Sequence, residues 1–188
     1  DGPAGTRSAL EAAGTTSLGP GLEPVYREVN GLQLAFLAFE DITLPLDTNA
    51  AVQAIRAARL TRAVVIVSIH WGAEYQGGAS DRQKFLAQKF AQAGAALIWG
   101  HHPHVLQPAK WIDTVQGKTF VLYSLGNALF DQGGMDDTRR SALVLVTLNA
   151  AGVTSVRSVP FEIDVATSRV VQPGTETVEK IQARLNPP

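Results

Sequence analysis

Three of the four histidines in this 188-residue chain fall within four consecutive positions, in the run Gly100-His101-His102-Pro103-His104-Val105-Leu106-Gln107. Imidazoles at that density can ligate a divalent cation, pass a proton or stabilise developing charge. The chain has no cysteine, so thiolate ligands and disulfides are excluded and any metal is left to His, Asp, Glu and Asn. The fourth histidine, His70, ends the run Ala63-Val64-Val65-Ile66-Val67-Ser68-Ile69. Alone at a strand end it is better explained by packing and hydrogen bonding than by ligation; beside the cluster it reads as a ligand. In an extended segment His102 and His104, either side of Pro103, point the same way and can converge, whereas His101 points oppositely. That geometry makes His101 an outer partner of a ligand or a group facing substrate.

The elements that must position these side chains are legible around them. The apolar run before His70 is β-branched and continuous, as expected of a central strand buried on both faces. Residues 95–99 read as a second buried strand, so both sets of histidines leave strand C-termini, where open α/β folds place ligand sites. Between them, Ser80 caps a helix over residues 80–93, with Phe85, Leu86, Lys89 and Phe90 on one side and Gly94 as its stop. Strand, helix, strand makes a right-handed crossover with both histidine sets at one edge. Upstream, Asn30-Gly31 joins strands 24–29 and 32–39 in a tight hairpin, and residues 48–60 form an amphipathic helix. A short helix over 6–13 precedes them. Downstream, strands at 107–113 and 118–124 surround a turn at Gln116-Gly117. Three more strands follow, at 141–148, 155–165 and 169–172, then a helix over 176–185, and residues 132–138 read as a mobile polar loop.

With 45% hydrophobic residues and a formal net charge of −1, the chain is expected to form one globular domain over residues 1–188. Its dispersed Lys and Arg residues disfavour nucleic acid as a partner. No apolar run is long enough to span a membrane, and the chain opens without an initiator Met. The glycine pair Gly133-Gly134 has neither the strand-to-helix context nor the Lys-Ser/Thr partner of a phosphate loop.

Three segments, Ser68-Ile69-His70-Trp71-Gly72-Ala73-Glu74-Tyr75, the histidine run, and Tyr123-Ser124-Leu125-Gly126-Asn127-Ala128-Leu129-Phe130-Asp131-Gln132, resemble in order three motifs of the bacterial capsule-synthesis, CapA-type family associated with poly-γ-glutamate. That family is similar in fold to calcineurin-like metallophosphoesterases, which implies an α/β fold with a two-sheet β-sandwich flanked by helices. The resemblance implies His70 as the lone histidine ligand and His102 and His104 as the His-x-His pair. It also implies a divalent metal (zinc, manganese or iron), two ions in a complete protein. The family's earlier motifs, an Asp-bearing first strand, an acidic residue and an Asn-His pair, have no counterpart here. The chain therefore resembles the C-terminal half of a longer protein. Two ions roughly 3.5–4 Å apart need a bridging carboxylate, which this half does not supply.

Glu74 stands as a general acid or base, an organiser of bound phosphate, or a solvated surface group. Asn127, after Gly126, stands equally as a site residue or a turn-former; with His101 and Glu74 it completes the catalytic candidates. Trp71 and Trp99 read as an apolar wall behind the imidazoles, or as an aromatic subsite. For the free ring nitrogen of each ligand, strand-end carbonyls or Asp131 are the expected acceptors. The readings that follow are a metal-dependent hydrolase or transferase of metallophosphoesterase type, a non-catalytic component of envelope-polymer assembly, or a domain whose histidines merely pack. The resemblance places the full-length protein outside the cytoplasm and membrane-associated, with an envelope polymer or phosphoester as substrate. A half-domain would also leave apolar surface for a homodimer or for its missing half.

Overall fold

A computed structural model describes residues 2–130, 132 and 134–185. Helix α1 (Pro3–Ala12) leads into the hairpin of β1 (Val25–Val29) and β2 (Leu32–Glu40). Asn30 and Gly31 take φ of 51° and 76°, the left-handed pair that matches a two-residue turn to strand twist. Helix α2 (Thr48–Leu60) follows, then β3 (Val64–His70), α3 (Asp81–Ala93) and β4 (Ala95–His101). Asp47 starts α2 by accepting from the amides of Asn49 and Ala50, both at 3.0 Å. Ser80 and Gln83 start α3 as a reciprocal capping box, and Gly94 ends it. The remaining elements are β5 (Ala109–Thr114), β6 (Gly117–Leu122), β7 (Arg140–Asn149), β8 (Gly152–Asp164), β9 (Arg169–Val171) and α4 (Thr175–Leu185).

Six strands form one sheet in the order β1-β2-β3-β4-β6-β5, and β7-β8-β9 form a second, antiparallel sheet. Strands β2, β3, β4 and β6 run parallel, so their C-terminal ends share one edge. On one face, Leu37, Val65, Val67, Ile69 and Ile98 pack against Ile55, Leu86 and Phe90 of α2 and α3. On the other, Ile66, Leu97, Phe120 and Leu122 meet Val144, Val146, Val153 and Val156 of the small sheet. The α/β fold, its two-sheet sandwich and its flanking helices are those expected from the sequence.

Several local expectations are corrected. Phe85 is 46% exposed, with Arg82 and Lys89 over its ring; the buried face of α3 carries Gln83, Leu86, Ala87, Phe90 and Ala91 instead. Strand β5 begins at Ala109 rather than at 107, because Gln107 is fully buried in a side-chain amide network. Within the segment read as a mobile loop, residues 136–139 form a 3-10 turn. Asp131 and Gly133 lie outside the described residues.

Candidate metal and catalytic site

The parallel register sets His70 directly beside His101. Along β3 and β4 the residues Ile66, Ser68 and His70, and Leu97, Trp99 and His101, alternate onto the small-sheet face. The small sheet covers Ile66 and Leu97 but leaves Trp99 48% exposed, so the imidazoles open at the upper end of that face. The opposite face is sealed by Trp71, fully buried, whose Nε1 donates to the Tyr123 carbonyl at 2.9 Å. Gly100 is required beneath it: a Cβ there would stand 2.2 Å from both Trp71 Nε1 and the Tyr123 carbonyl oxygen. The glycine of the motif thus serves packing, and the histidine after it serves the site. Of the two readings of the tryptophans, a wall behind the imidazoles describes Trp71, while Trp99 stands edge-on to His101 at 6.5 Å.

The segment after β4 is not extended. His102 and His104 have φ of 105° and 60°, left-handed values that cost a non-glycine residue about 1–3 kcal/mol and persist only when the surroundings impose them. Two restraints do so. The Pro103 carbonyl accepts from the Tyr75 amide at 2.8 Å. Gln107 accepts from Gln83 Nε2 and donates to the carbonyls of Gln76 and Gly78, which ties the turn to the loop after β3 and to the start of α3.

This turn overturns the expectation that His101 points away from the other imidazoles. The Nδ1 atoms of His101 and His70 are 2.8 Å apart, and His101 Nε2 lies 3.1 Å from Ser68 Oγ. The ring of His102 meets that of His70 with centroids 4.6 Å apart, and His104 follows at 6.2 Å from His102. All four rings therefore gather. Among the described residues, no group of three or more His, Asp or Glu side chains is already arranged to hold an ion.

The outer partners are not the carbonyls expected. The His70 and His101 carbonyls accept from the amides of Asp41 and Trp71, continuing the ladder, and Asp131 lies outside the described residues. His104 Nδ1 instead meets Asn127 Oδ1 at 2.7 Å. Asn127 is 6% exposed, and its amide nitrogen donates to Gln132 Oε1 and the Thr138 carbonyl. Its oxygen is therefore the acceptor and His104 Nδ1 the donor, so the contact leaves Nε2 out. Asn127, open from the sequence to a site or a turn role, contacts a histidine. Glu74 is exposed in the turn after β3. Its neighbour Tyr75, which sequence reasoning passed over, stacks at 6.1 Å on His104, and Phe130 stands 5.2 Å from that ring on the motif's other side.

Burial, and after it the neighbouring His70 and His102, pushes the His101 imidazole down to about 4, so it is neutral at pH 7. His70 is lowered as well, again mainly by desolvation. Neutral imidazoles are the form that binds metal. Of the nearby carboxylates, Glu40, register partner of His70, accepts from the amides of Ile42 and Thr43 through Oε1, and Asp41 pairs with Arg82 at 2.7 Å. In donor type the cluster fits a borderline divalent ion.

Comparison with known proteins agrees with the motifs. The family model described as bacterial capsule synthesis protein PGA_cap matches residues 4–132. The PGA biosynthesis protein CapA of Bacillus subtilis is 38% identical over 160 residues, 78% of this chain and 41% of its own length. The capsule biosynthesis protein CapA of Bacillus anthracis is 36% identical over 74% of this chain and 37% of its own. A probable polyglutamine synthesis accessory protein of Mycobacterium tuberculosis is 27% identical over 64% of the chain. This chain thus spans about two-fifths of the length of the Bacillus proteins. A Thermus thermophilus sulfate thiohydrolase, SoxB, in complex with glycerol superposes with a TM-score of 0.52 at 18% identity, over 85% of this chain and 28% of that one. At that identity the likeness concerns the fold alone. With the family model covering most of the chain and the Bacillus relatives above 30% identity, the chain belongs to the bacterial capsule synthesis protein family, PGA_cap.

Proposed function

We propose that this chain carries the histidine side of a divalent-metal site in a capsule-synthesis protein that handles an envelope polymer of the polyglutamate kind. In this reading the complete site performs metal-dependent hydrolysis or transfer, of metallophosphoesterase type. The observation that carries it is the pairing of outer ring nitrogens: Asn127 holds Nδ1 of His104 and His101 holds Nδ1 of His70. Asn127 and His101 thereby take the place that a carboxylate, backbone carbonyl or water ordinarily has beside a metal-ligating histidine. His70, His102 and His104 are the ligands, and zinc, manganese or iron the candidate ions. A bound ion would supply Lewis acidity and a lowered pKa for water.

The chain's own residues supply orientation. Tyr75 and Phe130 flank His104, and Glu74 at the exposed rim is the candidate proton carrier. The reading includes a carboxylate donor from a further segment or a second copy, since Asp41 is held by Arg82. It also places the protein outside the cytoplasm, associated with the membrane through a part not in this chain. Among the described residues no helix is long and apolar enough to cross a membrane.

A second reading, a non-catalytic component of polymer assembly on the same fold, draws on the mycobacterial relative being named an accessory protein. Equilibrium dialysis of this chain against zinc and manganese at pH 7.5, followed by assay of a generic phosphodiester with the metal-loaded full-length protein that completes the site, tests both. Metal uptake with turnover is expected. Uptake without turnover favours the assembly reading, and no uptake of either ion contradicts the site.

A further inference from the structure

We propose that Tyr75 is a substrate-contacting residue: its hydroxyl donates a hydrogen bond to an anionic oxygen, phosphoryl or carboxylate, of the group bound at the imidazoles. This deepens the metal-site reading and rests on it for where that group sits. Two independent observations carry it. The first is backbone strain. Tyr75 has φ of 62°, a left-handed value that is an outlier for so bulky a side chain and that Gly or Asn takes at less cost. Its amide is fixed on the Pro103 carbonyl at 2.8 Å, which ties it to the turn at His102 and His104. Outliers of this kind concentrate at active sites and ligand clamps. Here the strained residue sets a ring that is 41% exposed against His104, with centroids 6.1 Å apart.

The second observation is the direction in which the neighbouring hydrogen bonds run. Asn127 Nδ2 lies 3.1 Å from the Thr138 carbonyl, an oxygen that only accepts, so the Asn127 amide has one orientation. The same nitrogen meets Gln132 Oε1 at 3.1 Å, which turns Gln132 Nε2 toward the Tyr75 hydroxyl at 2.7 Å. An amide nitrogen only donates, so the Tyr75 oxygen accepts and its own proton goes elsewhere. Among the described residues that proton has no acceptor. The loops after β3 and β6 thus meet beside His104 and leave one hydroxyl donor at the rim of the cluster. A substrate drawn to a divalent ion carries anionic oxygens, and these are the acceptors that gain most from such a donor.

With three tyrosines in the chain, NMR on protein labelled at the tyrosine ring gives three signals, and Tyr75→Phe assigns one of them. Inorganic phosphate and glutarate, a simple dicarboxylate, are titrated in turn at pH 7.5 into the zinc-loaded and the metal-free protein. The Tyr75 signal should shift saturably with at least one anion, at higher concentration without zinc, while Tyr26 and Tyr123 stay still; the anion that moves it names the acceptor. In calorimetry Tyr75→Phe should weaken binding of that anion about 10-fold and leave zinc affinity and melting temperature at their wild-type values, because the ring is kept. A Tyr75 signal indifferent to both anions, or wild-type anion affinity in Tyr75→Phe, would overturn the proposal. So would a parallel loss of zinc affinity, which would make Tyr75 a support for His104 instead. If wild type takes up no zinc, the metal reading fails, and the metal-free titration still decides Tyr75.

Discussion

The two faces of the large sheet are built differently. Against α2 and α3, the residues Ala35, Leu37, Val65, Val67, Ile69 and Ile98 are shut completely away from water. Against the small sheet, the covering residues Val144, Val146, Leu148, Val153 and Val156 are themselves only partly buried, and beyond them Ser68, His70, Trp99 and His101 open upward. The same strands supply both faces by simple alternation. A finished core on one side lets the other carry polar, strained and half-covered groups that contribute little to stability.

That contrast is most directly broken by truncation on either side. Phe90→Ala, in the sealed core, is expected to lose about 3–5 kcal/mol in urea unfolding, and Val146→Ala on the small-sheet side about 1 kcal/mol. Equal losses would show that the faces do not differ. A smaller effect is expected at the site. Asn127→Ala strands the Thr138 carbonyl and the His104 Nδ1–H, for about 1–3 kcal/mol, and should weaken metal binding about 10- to 100-fold. A variant with wild-type affinity would remove Asn127 from the site.

The half-open face also has a pH signature. His101 falls to about 4 in the folded state against 6.5 for a free imidazole, so between those values the unfolded chain binds more protons. Stability of the metal-free protein is then full above pH 6.5 and declines as pH falls toward 4, with His70 adding in the same direction. After discount for solvent screening the loss is on the order of 1–2 kcal/mol, and His101→Asn should reduce it in pH-dependent melts. A His101→Asn profile parallel to wild type would refute the assignment. The smallest effect concerns the outer side of the small sheet. There Leu143 is 60% exposed opposite Val159, and among the described residues β7 pairs only with β8. Light scattering at high micromolar concentration is expected to show a dimer that Leu143→Lys weakens; a clean wild-type monomer would contradict it.

Where local chemistry decides structure, the sequence was readable. Asn30-Gly31, Ser80 with Gln83, Gly94 and the β-branched run before His70 each enforce one conformation on their own, and β1 to β4 with α2 and α3 follow from them. The neighbouring placement of His70 and the cluster was legible from the crossover. What was not legible depends on tertiary restraint. The left-handed backbone at His102 and His104 is imposed by Tyr75 and by Gln107, residues from which no local propensity predicts a turn. Without that turn, alternation put His101 on the wrong side. Asn127 as the partner of His104, and Ser68 as the partner of His101, are contacts 23 and 33 residues apart, beyond any periodicity. An aromatic ring on a helix reads as core, whereas Phe85 faces solvent with the charged ends of Arg82 and Lys89 over its ring.

The central claim is that His70, His102 and His104 form a ligand set with His101 behind it. Zinc calorimetry at pH 7.5 on wild type, His102→Ala, His104→Ala and His101→Ala tests it most directly. Binding should be abolished in the His102 and His104 variants and weakened, but still measurable, in the His101 variant. Equal loss in all three, or binding that survives His102→Ala and His104→Ala, would contradict the assignment.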